Sequence, residues 1–291
     1  MTEHSIQFAA NTNQLSAMLH TGNATTGVLV VVGGPQYRVG SHRQFVKLSR
    51  FLADNDVPSM RLDTAGMGDS DGNRAAFYQQ SDDITQAINV FFQRMPLLKK
   101  VVLWGLCDAA SAILIALNKP DPRISAVVLL NPWVRQQHSH AQALLKHYYL
   151  KRLVQRSFWR KLFSGSLSAL SSLRDLCVTL QAAKPVVSAD NFATEVNTHN
   201  YIAVMLSGAQ AFTGATKIIT SGNDLTAQEF LDLCHQNPAW AGVLAKSFHS
   251  HIAAADHTFS TAKWRQQTEQ LTLQLVTDLT SKQDKYEKSS G

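Results

Sequence analysis

The chain has 291 residues, of which 45% are hydrophobic and 16% charged. That suffices for a large buried core in one large domain or two small ones, at roughly 100–200 residues per domain. Its 27 Lys and Arg against 21 Asp and Glu give a net charge of +6, so an anionic partner such as nucleic acid, a membrane surface or an acidic substrate must be considered. No apolar run approaches the roughly 18–20 residues of a membrane span, and Met1-Thr-Glu-His-Ser-Ile does not read as a secretory signal, so a cytoplasmic location is expected. The cysteines Cys107, Cys177 and Cys234 are widely spaced and form no CxxC pair, which argues against a disulfide framework and a zinc site.

Short β-branched runs alternate with longer helical patterns, the signature of βαβ units around a mostly parallel sheet. Ile6–Phe8 and Leu15–His20 read as an opening hairpin. Strands are then expected at Gly27–Val32, Ser59–Asp63, Lys100–Trp104, Ser125–Leu130, Ala215–Thr220 and Ser247–Ile252. Helices are expected at Ser41–Asn55, Phe77–Arg94, Ala109–Leu117, Tyr201–Phe212, Ala227–Gln236 and Thr261–Leu279, with a polar tail from Ser281 that reads as frayed. Between Pro132 and about Thr198 the alternation stops and only helical stretches rich in Leu, Arg and Ser are found. The organisation is therefore an α/β core over 1–131 and 199–291, with helices on both sheet faces and an inserted helical lid over 132–198. A lid at that position covers the carboxyl ends of the strands, where such sheets bind their ligands.

The segment Val101-Val-Leu-Trp-Gly-Leu-Cys-Asp-Ala-Ala-Ser-Ala carries most of the chemistry. An apolar strand runs through a tight turn into a small-residue helix, the context of a nucleophile elbow, with Cys107 at the nucleophile position. Gly105 and Ala109 supply the small residues that such a turn needs two positions either side. A helix N-terminus also favours the thiolate form of a cysteine. Taken alone, Cys107 reads equally well as a small buried hydrophobe. The order of the other parts decides: an α/β-hydrolase presents nucleophile, acid and histidine in that sequence along the chain. Asp224 follows the strand Ala215–Thr220 in Ser221-Gly-Asn-Asp-Leu-Thr, and His257 follows Ser247–Ile252 in Ala253-Ala-Ala-Asp-His-Thr-Phe. Asp256, adjacent to the histidine, reads as a capping or backbone-bonding residue.

An oxyanion hole requires the backbone N–H after the nucleophile, here that of Asp108, and a second N–H from the loop after the third strand. That loop, Val31-Val-Gly-Gly-Pro-Gln-Tyr-Arg-Val-Gly, contains Pro35, which has no N–H, so Gln36 is the nearest donor. Gly34 allows close approach to a substrate, and Arg38 and His42 are candidate anion-binding groups in the pocket, unless they lie on a solvated helix face. Asp63 and Asp69 read as structural. The HxH pairs His138/His140 and His249/His251 lack a third ligand, so neither a metal nor a cofactor is expected.

These segments resemble an α/β-hydrolase over nearly the whole chain and, more narrowly, the hydrolase 1 family associated with the exosortase A system. The carrying residues are Val31 to Phe45, Asp63-Thr-Ala-Gly-Met-Gly-Asp-Ser, Trp104-Gly-Leu-Cys-Asp-Ala-Ala-Ser, Ser221-Gly-Asn-Asp-Leu-Thr and Asp256-His-Thr-Phe-Ser. The resemblance implies a bacterial cytoplasmic hydrolase encoded beside exopolysaccharide and protein-sorting genes, with a triad of Cys107, His257 and Asp224. Cysteine in place of serine departs from the wider superfamily, and dienelactone hydrolases offer an analogy for activated esters and lactones. A small-molecule or lipid-linked acyl substrate is implied, with acyl transfer and a non-catalytic scaffold as alternatives.

The charge is not evenly spread. From Pro132 to Lys184 nine basic residues, among them Arg152, Arg156 and Arg160, face Asp175 alone, leaving the remainder of the chain at −2. Two readings stand: a solvated basic face on a packed lid helix, or a surface that meets anionic lipid at the inner membrane or a phosphate-bearing substrate. No nucleic-acid motif accompanies the charge, so nucleic acid is not expected.

Overall fold

A computed structural model describes residues 3–34, 36–135 and 195–289. Pro35 and nearly all of the expected lid lie outside the described residues. Eight strands form one sheet: β1 (Glu3–Ala10), β2 (Asn13–His20), β3 (Thr26–Val31), β4 (Ser59–Asp63), β5 (Lys100–Leu106), β6 (Ile124–Leu130), β7 (Ala215–Ser221) and β8 (Phe248–Ile252). Their spatial order is β1-β2-β4-β3-β5-β6-β7-β8. β1 and β2 form the antiparallel opening hairpin, β2 joins β4 antiparallel, and every later pairing is parallel. All residues of β3 and β4 are buried, as expected where helices cover both faces of a parallel sheet.

The helices are α1 (Gln44–Asp54), α2 (Ser81–Arg94), α3 (Asp108–Ala116), α4 (Tyr201–Ala211), α5 (Leu225–Gln236), α6 (Pro238–Lys246) and α7 (Ala262–Ser289). Alternate residues of the strands feed two cores. On one face Leu29, Leu103 and Val127 pack with Ile84, Ile113, Met205 and Phe230 from α2 to α5. On the other, Val28, Val102 and Val128 pack with Leu48 and Leu52 of α1 and Val276 of α7. Trp104 projects into this second core, meets Phe45 edge-on at 5.6 Å and donates its indole N–H to the Thr272 hydroxyl of α7.

Two expectations are corrected. α7 continues through Ser289, so the polar tail from Ser281 is helical; its Lys, Gln and Glu are good helix formers. α6 was not expected, yet Asn237 caps it by accepting from the Ala239 and Trp240 N–H groups and Pro238 occupies its first turn. No helix among the described residues is long and apolar enough to cross a membrane.

Chain order moves outward from β3 to β4 on one side and, after α2, to β5 on the other, so a crevice opens at the carboxyl ends of β3 and β5. The loops after β5, β7 and β8 carry Cys107, Asp224 and His257 to that same end of the sheet.

Candidate active site

Cys107 links β5 to α3 at φ 62 and ψ −123, a conformation that costs a non-glycine residue of order 1–3 kcal/mol and is maintained by its surroundings. Its N–H donates to Leu130 O at 2.8 Å, and the Trp133 N–H donates to its carbonyl at 3.3 Å. The turn tolerates nothing larger than glycine at position 105, where a Cβ would lie 2.8 Å from the Ala109 carbonyl carbon and 2.9 Å from the Ala110 nitrogen. Gly33 packs on the other side, and a Cβ there would lie 2.6 Å from the Ala109 nitrogen. The loop after β3 therefore presses backbone against backbone on the start of α3.

Asp224 combines two duties that sequence reasoning treats as alternatives. It is the N-cap of α5, accepting from Thr226 N–H at 3.2 Å through Oδ1 and from Ala227 N–H at 3.1 Å through Oδ2. The same Oδ2 lies 2.9 Å from Nδ1 of His257. Capping locks the carboxylate so that its remaining lone pairs orient the imidazole. His257 is partly buried and shares the cavity wall with Cys107, which favours its charged form. Burial alone would lower its pKa, but the bond to Asp224 and the attraction of Asp224 and Cys107 outweigh this and carry it up to about 10. The imidazole is therefore cationic at neutral pH. Asp256 is turned away, with its carboxylate bonded to the backbone N–H and hydroxyl of Ser260.

The histidine loop has a further anchor that the sequence does not advertise. Asn131, fully buried at the end of β6 with φ 44, donates its side-chain amide to Ser221 Oγ at 2.8 Å and to the His257 carbonyl at 3.1 Å. It also accepts from the Ser221 N–H at 2.9 Å. One side chain thus ties β6 and β7 to the backbone of His257.

Cys107, Asp108 and His257 line a cavity of about 330 Å³ together with Gly33, Gly34 and Gln36 from the loop after β3. Phe45, Phe77, Leu106 and Trp133 provide apolar walls, and Arg74 provides a cationic group that sequence reasoning missed. Trp133 is held by the Arg135 guanidinium 4.4 Å over its ring, while Arg135 is paired with the buried carboxylate of Glu229. Phe77 is braced edge-on by Tyr201.

Of the expected pocket residues, Gly34 lines the cavity, whereas Arg38 and His42 do not. Arg38 is taken up by Asp63 and Asp69, so its charge is spent on bracing the loops after β3 and β4. His42 and Arg43 take left-handed backbone angles just before α1. Gln36 is in the wall, and its side-chain carbonyl accepts from the Ser41 N–H. The loop amide that meets Asp108 is that of Gly34, donating to Oδ2 at 2.8 Å. Among the described residues, His249 and His251 converge only on the Thr220 hydroxyl, and no group of three or more metal-ligating side chains is found.

The whole fold is similar to solved α/β-hydrolases. The Pyrococcus furiosus esterase Pf2001 superposes with a TM-score of 0.64 at 12% identity, covering 95% of this chain and 91% of that one. The α/β-hydrolase GrgF from Penicillium sp. sh18 gives 0.60 at 14% identity over 97% and 100% of the two chains. Est1E from Butyrivibrio proteoclasticus, solved with ferulic acid, gives 0.58 at 12% identity over 94% and 99%. No curated protein sequence is significantly similar. The family model described as serine aminopeptidase, S33 matches residues 24–229, well over half of the chain. The chain is therefore an α/β-hydrolase enzyme and belongs to the serine aminopeptidase S33 family.

Proposed function

We propose that this hydrolase cleaves activated acyl esters, thioesters or lactones with Cys107 as its nucleophile, His257 as acid and base, and Asp224 as the group that orients the imidazole. The observation that carries the reading is His257, bonded to Asp224 and lining one cavity with Cys107. The thiolate attacks the acyl carbonyl carbon, and the carbonyl π electrons move to oxygen. The N–H of Asp108 and an N–H of the Gly33–Gln36 loop receive this oxyanion. Collapse expels the alcohol or thiol, protonated by the imidazolium, and leaves an acyl-thioester. His257, now neutral, takes a proton from water; hydroxide adds to the thioester carbonyl, and the acid departs as Cys107 is regenerated.

Thiolate is itself a good leaving group, so the first tetrahedral intermediate returns to starting material unless the substrate's leaving group is comparable. That favours thioesters, lactones and activated esters over amides. A cavity of about 330 Å³ suits a small acyl group, being at the lower end of the roughly 300–1,000 Å³ typical of ligand pockets. The resemblance to the exosortase A system-associated hydrolases supports a place beside exopolysaccharide assembly.

Hydrolysis of p-nitrophenyl acetate and of a short acyl-thioester tests the reading. Cys107→Ala and His257→Ala are each expected to lower kcat by on the order of a thousandfold or more while the fold is retained. Unchanged turnover in either variant refutes the assignment.

A further inference from the structure

The residue after the nucleophile does more than offer its N–H. The Asp108 carboxylate folds back under the Gly33–Gly34 turn and accepts the Gly34 N–H at 2.8 Å. The N–H groups of Ala109 and of Asp108 itself also favour its charged form. The Gly34 N–H belongs to the loop after β3 and the Asp108 N–H to the elbow, the two places from which this fold draws its oxyanion donors. A negatively charged oxygen therefore already sits on a donor that an acyl oxyanion would need.

We propose that the Asp108 carboxylate is a built-in oxyanion mimic that keeps the hole closed until a substrate carbonyl displaces it. This rests on Cys107 being the nucleophile. Three features make the seat a displaceable one. The second oxygen, Oδ1, is buried against Gly33 with no hydrogen-bond partner, so the carboxylate is only partly satisfied where it lies. Burial raises the carboxyl pKa, and the three backbone N–H groups and the Arg74 charge only partly offset it, so the ion is held less well than in water. Arg74 lines the same cavity and offers the swung-out carboxylate a cationic partner.

Two reactions of the same sulfur separate this role from a merely structural one. Attack on p-nitrophenyl acetate passes through an oxyanion, forming the S–C(acyl) bond and releasing p-nitrophenolate. Alkylation by iodoacetamide forms an S–CH₂ bond and releases iodide, with no oxyanion to stabilise. Asp108→Ala frees the Gly34 N–H, so the pre-steady-state burst of nitrophenolate should quicken by on the order of a hundredfold, the lower range of what one oxyanion donor contributes, while alkylation stays within about twofold. Asp108→Asn keeps the shape and an acceptor but not the charge and should fall between; if the alanine variant does not fold, the order of asparagine over native carries the test. Acylation that is equal or slower in the variants, with alkylation at Cys107 intact, overturns the mimic alone. Acylation and selective alkylation of Cys107 absent from native and variants alike overturn the nucleophile assignment and the mimic with it.

Discussion

Asn131→Ala removes a side chain that joins β6, β7 and the histidine loop. Three hydrogen bonds are lost, two donated by the amide and one accepted from the Ser221 N–H, all among buried groups. At about 1 kcal/mol net each they amount to about 3 kcal/mol. The backbone adds a second cost, because φ 44 is tolerated by asparagine and disfavoured for alanine by about 1 kcal/mol. The total is about 4 kcal/mol, read as a fall in the urea midpoint at constant slope. Asn131→Gly loses the same bonds without the backbone conflict and should cost about 3 kcal/mol. Catalysis should suffer separately: with the His257 carbonyl released, kcat should fall by on the order of tenfold to a hundredfold with KM little changed, since the imidazole rather than the acyl site is displaced. A loss of stability under 1 kcal/mol in the alanine variant, or turnover equal to native, refutes this reasoning.

Gly33→Ala places a Cβ against the Asp108 carboxylate and 2.6 Å from the Ala109 nitrogen, so the glycine loop must retreat from α3. A loss of about 1–3 kcal/mol in urea titration is expected, together with slower acylation of Cys107. His257 titrates near pH 10 in the native state against about 6.5 when unfolded, so its stabilisation is complete below pH 6.5 and is lost as pH rises towards 10. NMR titration of the imidazole reads the pKa directly. Asp224→Asn should lower it by about one unit, the equivalent of about 1.4 kcal/mol, and an unmoved titration would show that the Asp224 bond does not hold the proton.

What was legible in the chain was whatever depends on local backbone chemistry. The strands announced themselves as short β-branched runs, and the elbow as Gly105, Cys107 and Ala109 at the end of one of them. Asp224 and His257 were found because each follows a strand in a turn-rich segment. Long-range pairing was not legible in the same way. Arg38 looked available to a ligand until the fold brought Asp63 and Asp69 to it. Asn131 drew no notice, because its partners lie 90 and 126 positions away. The Asn237-Pro238 pair was a local signal passed over: it is a cap and a first turn. The Asp108 contact with Gly34 spans 74 positions and depends on how closely two turns approach, which composition does not report.

The parts of the site leave the ribosome in a fixed order. Cys107 emerges with the first half of the sheet, Asp224 only after β7, and His257 only after β8, a strand paired along one side by β7 alone. A nascent or truncated chain therefore carries an ordinary thiol, without the imidazole that would arm it. On the proposed assignment the docking of β8 is what arms the sulfur, so selective labelling of Cys107 would report that β8 has joined the sheet.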